Sequence, residues 1–309
     1  MIEKFNFYDV YGYFLPGLAL IAVLWLPFGL VAHIWPKGDW SSALVAVALA
    51  YFVGHLMLYV STNVFPSFDV KESTPGKERR LSATLLDSDS DLSEDFRRKI
   101  ALVVWREFEL ELHAGDCAGT HDTVRNEAFI LARQRLILGN VEGYAEQFQG
   151  MYSLARGLTV AFAVGAAYYL GWVLSTVRWF PMFDTALALS FVSLLISVNL
   201  SILILREQDR KKKQSFDNYL SLSILFVFFA CGYVVAFRYD LGTRDLIVLS
   251  LCAAVVVVAA IRCYVQYRFF TVRFATTVWS DFTAYVLKNP KSERSAGNLD
   301  LSRVQQGQP

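Results

Sequence analysis

The sequence predicts an all-α fold, a six-span helical membrane protein with a helical cytoplasmic insert between spans 2 and 3. Three observations carry that prediction. The 309 residues are 55% hydrophobic and only 18% charged, with a mean hydropathy of +0.37, which is too apolar for an ordinary soluble domain. Six stretches, at roughly 14–35, 41–62, 154–177, 183–205, 218–237 and 245–264, reach the ~20 apolar residues that a helix needs to cross a bilayer core. The connections HIWPKGD, RWFPMFD and RYDLGTRD are short turns with Pro or Gly, so the spans pair as helical hairpins.

Orientation follows from the basic residues. With an even number of spans, one side holds both termini and all but four of the 29 Lys and Arg; the exceptions are Lys37, Arg178, Arg238 and Arg244. Both termini are therefore expected in the cytoplasm. Trp35, Trp40, Trp179, Tyr239, Tyr264 and Tyr267 fall near the expected interfaces, as an aromatic belt does. The N-terminus has no basic region leading directly into an apolar run, so span 1 is expected to be retained rather than cleaved.

Four regions follow in order. Residues 1–65 hold an interfacial segment and spans 1 and 2. Residues 66–153 form the insert, which opens with a polar stretch at 66–91 expected to be a partly flexible linker. Asp91 with Glu94 offers a capping box for a helix whose apolar stripe is Phe96, Ile100, Val103, Val104 and Phe108. A second helix from about 122 carries Val124, Ala128, Leu131 and Leu138. Two such helices bury little core alone, so they are expected to pack on each other, on a soluble partner or on another subunit. Residues 154–264 hold spans 3–6. In 265–309, an aromatic-basic stretch either extends the last helix or lies in the headgroup plane, ahead of a disordered tail.

The N-terminal motif places Tyr8, Asp9, Tyr11 and Gly12 ahead of Pro16-Gly17. It reads as an aromatic anchor, with Pro16 in the first helical turn where its missing N–H is harmless, or else as a preorganised gating or docking element. The strings Y-D-V-Y-G-Y-x-x-P-G, A-R-Q-R-L-I-L-G, Y-S-L-A-R-G-L and Y-R-F-F-T-V-R-F resemble those of a group of uncharacterised bacterial multi-pass membrane proteins. The resemblance implies a bacterial inner membrane and an association with stress or anti-phage systems. It brings no catalytic residue.

Span 4 places Ser190, Ser193, Ser197 and Ser201 on one helical face, with Asn199 beside it. That stripe either lines a polar pathway or lets helices approach closely and hydrogen-bond. His55 in span 2 is an intramembrane ionisable residue with no acidic companion in the interior of any span. Ala46, Ala50 and Gly54 in span 2, and Gly157, Ala161 and Gly165 in span 3, form small-residue ladders suited to packing within the chain or between copies. Arg206, Arg210, Lys211, Lys212 and Lys213 make a juxtamembrane cluster that sets topology and attracts anionic lipid headgroups.

His113, Cys117 and His121 lie four apart, but Gly115 and Gly119 interrupt the helix that would align them, so no metal or other cofactor is expected. Cys117, Cys231, Cys252 and Cys263 form no C-x-x-C pair and read as small buried hydrophobes. The net charge of +1 gives no field for nucleic acid. Hydrolase, metalloprotease and phosphate-loop signatures are lacking, so an enzyme is not expected. The leading expectation is a homo-oligomeric membrane sensor or effector, with a gated pore as one form of output and 66–153 as the docking region for a soluble partner. The alternatives are a secondary transporter and a passive scaffold.

Overall fold

A computed structural model of the chain describes residues 10–36, 38–64, 70–74, 77–80, 85–86, 92–112, 120–139, 141, 144–175, 196, 210–237, 239 and 241–289. Among them are seven α-helices: α1 (Leu15–Val31), α2 (Trp40–Val64), α3 (Glu94–Phe108), α4 (Thr120–Leu138), α5 (Ala145–Leu174), α6 (Arg210–Ala236) and α7 (Thr243–Lys288). A wide π-turn at Val10–Phe14 leads into α1, and strands β1 (Val70–Thr74) and β2 (Lys77–Arg80) form an antiparallel hairpin. Four helical segments are long and apolar enough to cross a membrane: Val10–Val31, Trp40–Thr62, Ala145–Leu174 and Thr243–Lys288. The protein is thus a multi-pass helical membrane protein. Among the described residues four of the six predicted spans have such a helix; α6 contributes a shorter apolar stretch, Leu222–Ala236, at the predicted fifth, and the predicted fourth, Ile196 apart, lies outside the described residues.

The chain divides into two compact units. Unit 1 comprises Met1–Phe68 and Glu146–Val272; unit 2 comprises Asp69–Ala145 and Arg273–Pro309. The helix α7 contributes to both without a break. It settles the alternative left open for the aromatic-basic stretch, which continues the last helix to Lys288.

In unit 1, α1 starts where the sequence places it, and the π-turn explains how. Pro16 has no N–H to donate and its ring crowds the carbonyl four residues back, so the backbone just before it widens rather than holding a regular α-turn. Pro27 sits buried further along, and α1 still runs to Val31. His33 then takes a left-handed backbone (φ 55°) while the Ala32 and Ile34 amides both donate to the Phe28 carbonyl at 3.0 and 3.2 Å, which closes the end of α1. Asp39 caps α2: its Oδ1 accepts from the Ser42 amide at 3.3 Å and its Oδ2 from the Ser41 hydroxyl at 2.8 Å. Those hydrogen bonds, Ser42 first, hold the Asp39 carboxyl below its usual pKa.

Unit 2 answers where the insert helices find cover. Ile100, Val103 and Val104 of α3, together with Ala128, Ala132 and Leu136 of α4, close on Ala275, Val278, Trp279, Phe282 and Val286 of α7. The predicted α3 stripe is the buried one. Its cap is Ser93 rather than Asp91, with the Ser93 hydroxyl accepting from the Phe96 amide at 3.3 Å. For α4 the expected stripe is rotated: Ala128 is buried, but Leu131 and Leu138 are exposed. The small Ala128 and Ala132 share this core with the large Trp279 and Phe282, so fit to the space available outweighs side-chain size in choosing the buried face. Within the stretch expected to be a linker, the hairpin forms on either side of Pro75-Gly76, a turn dipeptide.

Candidate functional site

Unit 1 is built on backbone-to-backbone approach. A Cβ on Gly17 would stand 2.6 Å from the Gly54 amide nitrogen and against the Ala50 carbonyl oxygen; one on Gly54 would meet the Tyr13 carbonyl carbon at 2.5 Å. The span-2 ladder therefore has a partner inside the chain, with Ala50 and Gly54 buried against the start of α1 and Ala46 half-buried. Gly12, Pro16 and Gly17 of the N-terminal motif are buried at this end of the helix, and Tyr11 lies in the π-turn. Tyr8 and Asp9 lie outside the described residues.

The span-3 ladder is also used internally. Gly157 faces the Pro16 ring, a Cβ there lying 2.7 Å from Pro16 Cγ, and Gly165 faces Val23; Ala161 is fully buried. On the same helix Gly171 crosses α6, where a Cβ would lie 2.7 Å from the Tyr233 amide nitrogen, and Gly232 of α6 meets the Tyr168 backbone in return. Sequence reasoning missed Gly232, whose only signal was being a glycine inside an aromatic and aliphatic span. Around this crossing Trp172 stacks on Tyr239 at 5.5 Å and meets Phe28 edge-on at 5.6 Å. Tyr239 and the buried Tyr267 thus pack inside the unit instead of forming a lipid-facing belt, whereas Trp35 and Trp40 are exposed.

His55 is exposed on α2, with its ring centroid 4.0 Å from Tyr13 and 4.6 Å from Tyr51. The two rings flank the imidazole beside the Gly17–Gly54 crossing. Ser190, Ser193, Ser197, Asn199 and Ser201, the residues of the expected polar pathway, lie outside the described residues, as do Arg206 and Cys117. Arg210, Lys211, Lys212 and Lys213 form the first turn of α6, and their side chains are outside the description. Cys231 is exposed and Cys252 and Cys263 are half-buried free thiols, which corrects the expectation of buried cysteines. Among the described residues no group of His, Cys, Asp or Glu is placed to hold a metal ion.

Unit 2 carries the polar contacts. Arg135 of α4 reaches the nearly buried Glu107 of α3 at 3.2 Å and lies 5.7 Å from the Tyr285 ring centroid of α7, so one guanidinium ties three helices. Arg133 lies 5.7 Å from the Phe274 ring, and Phe108 stacks on Phe282 at 5.4 Å. Arg125 is buried at 1% exposure. Asp281 Oδ2 is buried without a hydrogen-bond partner, and burial raises the carboxyl above its usual pKa. None of these groups forms a nucleophile and base pair. Their arrangement ties the helices of this core together. A scan against protein-family models gives no match, and comparison with curated proteins and with solved structures gives none either.

Proposed function

We propose that the protein is a homo-oligomeric membrane sensor or effector of the bacterial inner membrane, with both termini cytoplasmic and unit 2 as its receiving domain. The observation that carries the reading is α7: one unbroken helix of 46 residues serves as a membrane-crossing element of unit 1 and supplies Trp279 and Phe282 to the core of unit 2. About 20 residues suffice to cross a bilayer. The remainder continues the same helix into unit 2, and it is the proposed route by which a partner bound to unit 2 acts on the packing of the spans, with ion or solute leakage along the span-4 serines as the proposed output. The inner-membrane site and the link to stress or phage defence rest on the resemblance of the N-terminal, insert and post-span-6 strings. The scaffold and transporter readings give α7 no comparable use.

The test is ion flux from proteoliposomes with and without cytosol from stressed cells. Flux that appears only with cytosol, and is lost both in Val272→Pro, which interrupts α7 between the units, and when Ser193, Ser197 and Asn199 become Leu, supports the reading. Flux indifferent to Val272→Pro refutes coupling through α7, and absence of flux in all conditions refutes the pore.

A further inference from the structure

The small-residue ladders do not carry oligomerisation, because Gly54, Gly157 and Gly165 are occupied within the chain. The aliphatic side chains left uncovered in unit 2 are a different matter, since in water, unlike in lipid, their exposure is unfavourable. On α4, Ile130, Leu131, Ile137 and Leu138 are 43%, 37%, 54% and 79% exposed. They share one helical face with exposed Gln134. Their order is symmetric about that glutamine: Ile-Leu at four and three residues before it, and Ile-Leu at three and four residues after it.

We infer that this face of α4 is the contact with a second copy of the chain, formed by antiparallel pairing of the two α4 helices across a two-fold axis at Gln134. The inference deepens the homo-oligomeric part of the proposed function and rests on it. An isologous contact must be complementary to itself, and this stripe is. Turning α4 about Gln134 sets Ile130 against Leu138 and Leu131 against Ile137, aliphatic on aliphatic at every position. The amide of Gln134 carries both donors and an acceptor, so it pairs with its own copy on the axis. Charge permits the contact. No ionisable residue stands among these five, and the nearest exposed one on the face among the described residues, Glu127, lies about two turns from the axis, so the Glu127 carboxylates of the two copies stay apart. With these exposures the paired side chains cover on the order of 800 Å² in total, below the ~1,200 Å² of a self-sufficient interface. The contact therefore needs confinement of both copies to one membrane, which raises their effective concentration.

The experiment uses the full chain with its four cysteines changed to Ser, reconstituted in phosphatidylcholine–phosphatidylglycerol liposomes, with Gln134→Cys as the reporter under mild oxidation. A residue on a two-fold axis meets itself, so a disulfide-linked dimer is expected from Gln134→Cys and none from Lys99→Cys on the exposed face of α3. Adding Ile137→Glu, an exposed position outside the core, should lower the dimer yield roughly tenfold or more by bringing charge into the apolar seam, and Ile137→Leu should restore it. A Gln134→Cys protein that does not cross-link while light scattering still reports an oligomer overturns this interface and leaves the oligomeric reading standing. A monomer by scattering, with no cross-link, overturns both.

Discussion

Units 1 and 2 solve the same problem, holding helices together, with opposite residues. In unit 1 the closest crossings are made at Gly17, Gly54, Gly171 and Gly232, where backbone meets backbone. Unit 2 has a core filled by the large Trp279, Phe282, Ile100 and Val104, with Arg135 bridging Glu107 and Tyr285. The difference is the one that lipid around unit 1 and water around unit 2, as in the proposed function, would produce. Lipid gives apolar side chains no reason to leave it, so close van der Waals approach of small residues does the holding. Water drives large apolar side chains together, and they form a core even from three short helical segments.

That contrast makes unequal predictions for substitutions in the two units. The largest effect is expected for Trp279→Ala, which should cost about 3–5 kcal/mol and open unit 2 selectively. Amide exchange should then rise across 94–138 with little change across 157–172; a uniform rise would mean that the units do not fold separately. Next, Gly54→Val places a branched side chain against the Tyr13 backbone, and overpacking of that kind costs about 1–3 kcal/mol or more. Its signature is protease sensitivity near residues 10–17 with 94–138 unaffected.

Arg135→Met leaves the nearly buried Glu107 without that ion pair and should lower the thermal stability of unit 2 by about 1–3 kcal/mol. The smallest effect has the opposite sign. Because burial raises the Asp281 carboxyl, the folded chain favours its protonated form; its contribution is fully present below 3.8, the ordinary value, and is lost as pH rises through the folded pKa. Asp281→Asn should therefore stabilise unit 2 slightly at pH 7 and have less effect near pH 4, read from melting curves at the two pH values.

The spans were legible because hydropathy is a local property, and α1, α2, α5 and α7 contain the apolar runs expected of them. The α3 stripe was legible for the same reason: Phe96, Ile100 and Val104 recur at helical spacing whatever covers them. What covers them was not, because the partner lies more than 170 residues away in sequence, at Val278, Trp279 and Phe282. Those residues do recur at helical spacing beyond the last span, yet their mixture with Arg268 and Arg273 reads equally well as an interfacial helix. On α4 the pattern misled, because the larger Leu131 and Leu138 outrank Ala128 and Ala132 on any hydrophobic scale while geometry favoured the alanines. The internal use of the ladders was half legible: their spacing announced close approach, and only the fold names Gly17, Tyr13 and Pro16 as the neighbours.

The claim that most needs testing is that the insert is covered by the end of α7 from its own chain. Phe108 and Phe282, stacked at 5.4 Å, are the probe. With the native cysteines removed, Phe108→Cys and Phe282→Cys in one chain should be joined in membranes by a short bifunctional maleimide, giving a faster-migrating monomer. A cross-link found only as a dimer would show that the insert covers another copy's helix, and no cross-link at all would contradict the core of unit 2.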